Sequence, residues 1–339
     1  MLVCEALNGL LSIIEQSGLA TPWFFVGLFV ASSFFMIWRL EALSSNGFEG
    51  TVLGTLVMPY CSGLGNLFFA FLLGQRGSEG AEVLTNCLVN NVTNLTLLIG
   101  LPAVLWGLQV IPSAGKKSRK RRKAPDTAPR LNRLSLLLTM FALLFFTGIT
   151  WAVASDGRID FADGLVLVGL FLFWQCIHVF EVLKTNVRQN KSFGLMLWVD
   201  LCLLLGGAYV MYVSVEWLVN WLTSMESGFV SAAQIGWLSG WLMVLPNGLL
   251  AMYYGWKGRS EVVYSSQFGD GHICVPLCIG LFALFHPIAV PVFFKMSMLI
   301  LGGAAIMHMA CIALMGRLPQ WIGGLLVLGY GVFLFLGLV

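Results

Sequence analysis

Charge is scarce in this chain. Of its 339 residues only 10% are Asp, Glu, Lys or Arg, against 58% that are hydrophobic. A soluble domain carries about 25% charged residues, so a water-facing surface of ordinary polarity cannot be built from this composition. No nucleotide-binding loop and no catalytic triad can be traced, which argues against an enzyme. The start of the chain has no basic segment; it carries Glu5 and Glu15 instead, and residues 1–21 read as a half-polar lead-in, not a secretory signal. Alternation is missing as well. Segments such as "LLLTMFALLFFTGITWAV" lack the period-two pattern of a β-barrel strand.

What remains is a series of apolar segments, each near the ~20 residues needed to cross a bilayer as a helix. With Gly, Pro and charge as punctuation, ten spans are expected at roughly 22–40, 49–74, 83–111, 134–154, 162–183, 193–222, 228–255, 261–284, 288–315 and 318–338. The expected fold class is an all-α polytopic membrane protein. The basic residues test that count. "KKSRKRRK" (116–123), Arg130 and Arg133 follow the third span, and 16 of the 19 Lys and Arg residues fall after odd-numbered spans, all but Arg76, Arg158 and Lys295. The positive-inside rule makes that side cytoplasmic. Both termini are then outside, in a plasma (inner) membrane, with the loop 112–133 inside. That basic loop reads as a disordered topology-setting loop, ahead of an anionic-lipid or nucleic-acid site; the partners expected of the chain are membrane lipid and transported cations, with no nucleic acid. The oligomeric state is left open.

The chain also repeats itself. "GNLFFAFLLGQRGSEGAEVL" from Gly65 and "PNGLLAMYYGWKGRSEVV" from Pro246 share an Asn, an Ala four residues on and a Gly eight residues on: Asn66, Ala70 and Gly74 against Asn247, Ala251 and Gly255. Each continues through a polar turn to a Glu (Glu82, Glu261) and an apolar helix ending "IGL" at 99–101 and 279–281. This divides the chain into a first five-helix repeat at 22–185 and a second at 186–339. Five spans is an odd number, so the halves must run in opposite directions. Inverted repeats point to a secondary transporter with its site near the midplane, where interrupted helices meet. "MPYCSGLGN" (58–66) and "LMVLPN" (242–247) are the expected interruptions.

This layout resembles the cation/Ca²⁺ exchanger superfamily, which includes the sodium/calcium exchangers. Its members have ten spans in two inverted halves, each with an α-repeat of the form "GTS-x-PE…GSN-x-xN…G". "VNNVTNLTLLIG" (89–100) is similar to the second part, with Asn91 and Asn94 at the motif's two asparagines and Asn90 where it has Ser; "VLPNG" (244–248) is similar to the first part. The resemblance implies ion-binding glutamates at Asn66 and Asn247, and both are amides here. It also implies alternating access by the first and sixth spans sliding past a static bundle. If "IGL" aligns the halves, Asp270 falls opposite Asn90; a one-residue shift puts it opposite Asn91.

The expected ion-binding set is Asn66, Asn90, Asn91, Asn94, Asn247 and Asp270, with Ser62, Gln267 and His272 as further donors. Amide and hydroxyl oxygens coordinate hard cations without adding full negative charge, and an intramembrane carboxylate is rare and usually functional. The bland alternative for the asparagines is interhelical hydrogen bonding. His178, Glu181, Asp200, Glu216 and His308 read as snorkelling or interfacial. The eight cysteines read as small buried hydrophobes, and "HICVPLC" (272–278) as no metal site. No cofactor is expected. The leading reading is a cation antiporter moving Na⁺, Ca²⁺, K⁺ or H⁺. The alternatives are a same-fold transporter of another solute and a transport-inactive membrane scaffold or sensor.

Overall fold

The computed structural model describes residues 21–45, 58–77, 80–110, 127–189, 195–226 and 228–338, and all that follows concerns those residues. The lead-in, the basic run 116–123 and the stretch upstream of Met58 lie outside them. Ten helical segments of membrane-spanning scale follow one another: α1 Pro22–Ser45, α2 Met58–Gln75, α3 Gly80–Trp106, α4 Thr127–Val153, α5 Phe161–Gln189, α6 Leu195–Thr223, α7 Ile235–Trp256, α8 at 260–283, α9 Phe294–Met315 and α10 Gln320–Leu338. Local chemistry sets their ends. Pro22 opens α1, where its missing N–H is no loss, and the Thr21 hydroxyl accepts from the Phe24 amide at 3.3 Å. Gly157 and Gly316, both in the left-handed region, turn the chain after α4 and α9.

Seven of these helices are long and apolar enough to cross a membrane. Two more, α2 and α5, are apolar over the shorter stretches Gly63–Gln75 and Phe161–Ile177. Helix α8 falls short of that apolarity because Ser265, Ser266, Gln267, Asp270 and His272 lie along it. The outer surface of the bundle is oily: Phe173, Phe180, Leu314, Leu328 and Phe335 are all exposed. The polar side chains Asn66, Asn90, Asn94, Asn247 and Asp270 are buried. That distribution suits a hydrocarbon surround, in which backbone groups must be satisfied within helices.

The two halves are inverted copies, and small features make the equivalence concrete. α3 passes through a π-helical turn at Asn94–Leu98, and α8 through one at Cys274–Cys278, 180 residues later. Short antiparallel ribbons pair β1 (Leu108–Gln109) with β4 (Arg317–Leu318), and β2 (Arg158–Ile159) with β3 (Ile288–Ala289). β1 and β3 follow equivalent helices, as do β2 and β4, so the pseudo-two-fold axis exchanges one ribbon for the other. Helix crossings are exchanged in the same way. A methyl group at Gly100 of α3 would lie 2.9 Å from the Gly323 carbonyl oxygen on α10, and one at Gly164 of α5 would lie 2.8 Å from the Gly280 carbonyl oxygen on α8. Only glycine allows backbones this close, and such crossings hold membrane helices together where oil offers no hydrophobic drive.

The interruptions fall elsewhere than the sequence suggests. α7 runs unbroken through Pro246, and Pro59 lies in the first turn of α2. A proline removes one amide hydrogen and bends a helix, but it need not end one. The irregular backbone lies instead in the π-turns of α3 and α8.

Candidate ion-binding site

The site is assembled by α2 and α3 from the first half and by α7 and α8 from the second. On α3, Glu82, Asn86, Asn90 and Asn94 are spaced four residues apart and share one face. α7 can lie against that face because it carries glycine where the two approach. A methyl at Gly240 would lie 2.8 Å from the Val89 Cβ, and one at Gly236 would lie 2.7 Å from the Glu82 carboxylate.

Asn66, Asn90, Asn91, Asn94, Asn247, Gln267 and Asp270 all have zero solvent exposure. Most of them form one network. Asn94 Nδ2 donates both hydrogens, to Asp270 Oδ2 at 2.7 Å and to Asn90 Oδ1 at 2.8 Å. Asn90 Nδ2 donates to Asn66 Oδ1 at 3.3 Å. Asn247 Nδ2 donates to Asp270 Oδ2 at 3.2 Å and, more weakly, to Asn94 Oδ1 at 3.4 Å. The two repeat-related asparagines, Asn66 and Asn247, are therefore joined through Asn90 and Asn94. Gln267 donates to the Asn247 carbonyl at 3.2 Å and to Ser266 Oγ at 2.9 Å, which leaves its own Oε1 without a hydrogen-bond donor. Asn247 Oδ1 is likewise unmatched. Buried carbonyl oxygens with no donor are costly in a bilayer unless something else meets them.

Two expected donors make their hydrogen bonds outside this network. Asn91, one residue and 100° around α3 from Asn90, donates to the Cys87 carbonyl at 2.7 Å and sets its Oδ1 against Gly271. His272 is two residues beyond Asp270, so it points to the opposite side of α8. There its Nε2 bonds the Thr139 carbonyl at 2.9 Å, and its ring meets Phe146 and Trp174 edge to face. Ser62 lies on α2, and its side chain is outside the described set. Among the described residues no His, Cys, Asp and Glu group is arranged to hold a metal.

The alignment of the halves also resolves. The π-turns begin at Asn94 and Cys274, the same offset as Gly100 and Gly280. Asp270 is therefore the counterpart of Asn90, not of Asn91. At these equivalent positions the first half carries an amide and the second a carboxylate; the symmetry breaks again one turn on, where Asn94 answers to Cys274.

Two features lay beyond the sequence reading. One turn above Asn90, Asn86 donates to Ser239 Oγ at 3.0 Å, and one turn above that Glu82 accepts from the Gly236 amide at 2.8 Å. The four-residue spacing on α3 was the available signal. The second is His308 of α9, which is not interfacial as expected but fully buried, its Nε2 bonded to the Leu95 carbonyl at 2.8 Å. A carbonyl can only accept, so Nε2 carries the proton and Nδ1 accepts from the Tyr264 hydroxyl at 3.4 Å. Leu95 lies within the π-turn directly after Asn94. His308 thus supports the irregular backbone that aims Asn94. No local pattern in the sequence points to it.

Comparison with known proteins bears on the fold. Residues 19–180 match the family described as "Sodium/calcium exchanger protein". No curated protein sequence matches the chain significantly. Among solved structures, the fold is similar to the sodium-calcium exchanger NCX_Mj soaked with zero Na⁺ and Ca²⁺, at 17% identity and a TM-score of 0.62, covering 92% of this chain and 94% of that one. The same exchanger soaked with 2.5 mM Na⁺ and 10 mM Sr²⁺ gives 16% identity and a TM-score of 0.65, covering 92% and 98%.

Proposed function

We propose, from the match of residues 19–180 to the sodium/calcium exchanger family and from the fold, that this chain is a secondary active cation antiporter of that family working by alternating access. The observation that carries this reading is Asp270: a wholly buried carboxylate held by amides from α3 and α7 at the meeting of two inverted halves. Its charge attracts a cation, and the unmatched oxygens of Asn247 and Gln267 are suited to replace hydration. The proposed ion-binding set is Asp270, Asn94, Asn247, Asn90, Asn66 and Gln267. Asn91 and His272 take supporting roles through their bonds to the Cys87 and Thr139 carbonyls.

Packing supports the proposed movement. α1 and α6 adhere to one another: Phe25 stacks on Trp217 at 4.2 Å, Gly207 fits beside Met36, and Arg39 pairs with Asp200 at 3.5 Å. Their polar link to α2 is an end contact, Arg76 to Asn220 Oδ1 at 2.6 Å. The pair can travel as a unit past the helices that carry the site, exposing it first to one side and then to the other. We take 22–185 and 186–339 as the two repeats, in a plasma (inner) membrane, with both termini outside and the loop 112–133 cytoplasmic.

The test is flux through the reconstituted full chain. Proteoliposomes loaded with one cation and diluted into another should exchange them only when a counter-cation is present. Cation-independent leak, or no flux with any of Na⁺, K⁺, H⁺ and Ca²⁺, would remove the proposal.

A further inference from the structure

Within that proposed transport function, and resting on it, we infer that the site takes a single monovalent cation and rejects Ca²⁺. The argument is one of charge and of donor type. Asp270 is the one carboxylate in the network, and every other side chain in it is a neutral amide. A monovalent cation and one carboxylate form a neutral complex. A divalent cation leaves one positive charge uncompensated at a point where Asn66, Asn94, Asn247 and Asp270 are fully shielded from water. Low local polarity makes such residual charge the dominant cost.

No other fixed charge of the four site helices is placed to make up the deficit. Arg76, at the end of α2, bonds Asn220, and would add to a positive excess. Glu82 lies two turns from Asn90 and is used at the Gly236 amide. Glu261, in the first turn of α8, lies 3.5 Å from Arg259 at the surface. His272 faces α4 and α5, where its contacts are the Thr139 carbonyl, Phe146 and Trp174.

The donors fit the same conclusion. Asn247 Oδ1 and Gln267 Oε1 are buried carbonyl oxygens with no hydrogen-bond donor. They offer hard, neutral ligation suited to an alkali cation stripped of much of its water. Ca²⁺ sites usually gather six to eight oxygens with several carboxylates among them. The broken symmetry noted above, Asn90 opposite Asp270, keeps the carboxylate count at one.

The experiment measures ²²Na⁺ exchange in proteoliposomes of the full chain, with external NaCl, KCl or CaCl₂ at matched ionic strength and choline chloride as the blank. Expected is acceleration by NaCl or KCl, with CaCl₂ no better than choline and unable to compete. Competition by Ca²⁺ as strong as that by Na⁺ would overturn the inference and leave the antiporter reading intact; absence of exchange with every cation would overturn both. Asn247→Asp then adds a second carboxylate of the amide's own shape within reach of Asp270. Expected is Ca²⁺ competition strengthened at least tenfold. A folded Asn247→Asp protein that still ignores Ca²⁺ would show that carboxylate number does not set the valence, which also overturns the inference.

Discussion

His308→Phe tests how the irregular backbone of α3 is held. Phenylalanine keeps the aromatic volume between Tyr264 and Phe268, whose ring centres lie 5.5 Å and 5.6 Å from the imidazole. It removes only the two polar contacts, the 2.8 Å bond to the Leu95 carbonyl and the 3.4 Å contact with Tyr264. A buried acceptor left unmatched costs about 1–3 kcal/mol, and the longer Tyr264 contact adds little. The π-turn can recover some of this by relaxing towards regular α-helix. That relaxation rotates Asn94, which holds Asp270 at 2.7 Å. The expected result is a stability loss of roughly 1–3 kcal/mol in detergent unfolding. Apparent cation affinity should weaken about tenfold, the equivalent of ~1.4 kcal/mol, and His308→Gln, which keeps a donor, should recover part of both. A His308→Phe protein with unchanged stability and unchanged affinity would refute the reasoning.

The glycine crossings predict a matched pair of defects. Gly100→Ala and Gly280→Ala place a methyl 2.9 Å from the Gly323 carbonyl oxygen and 3.1 Å from the Gly164 carbonyl oxygen. Each should lower thermal stability by roughly 1–3 kcal/mol, whereas Gly169→Ala, where a methyl meets nothing within 4 Å, should not. For topology, a cysteine at Lys120 in an otherwise cysteine-free chain should react with an impermeant maleimide only from the cytoplasm, and one at Ser224 only from outside. Labelling of both from one side would contradict the proposed orientation.

The span count was legible because oil is a demanding solvent: each crossing needs a long apolar run, and the loops between gather charge. The inverted repeat was legible through Asn66 and Asn247 and the paired "IGL" ends, and α3 and α8 bear it out. What stayed hidden depends on rotation about a helix axis and on contacts distant in the chain. Asn90 and Asn91 are neighbours in sequence but 100° apart in space, so only the structure separates the one bonded to Asn66 from the one bonded to Cys87. The π-turns were hidden too: a proline lies within the one in α8, Pro276, but only beyond the one in α3, at Pro102. In α3 the comparable role falls to His308, 213 residues beyond the carbonyl it holds. The prolines that did suggest breaks, Pro59 and Pro246, lie at a helix start and in a continuous helix.

The central claim rests on one carboxylate, and Asp270→Asn tests it most directly. The substitution keeps the shape and removes the charge at the point where Asn94 and Asn247 converge at 2.7 Å and 3.2 Å. Cation-driven exchange should be measured in proteoliposomes beside the unmodified chain, with insertion and monodispersity checked for both. The account predicts a well-folded protein whose exchange falls to the level of empty vesicles. Undiminished exchange by a correctly folded Asp270→Asn protein would contradict it.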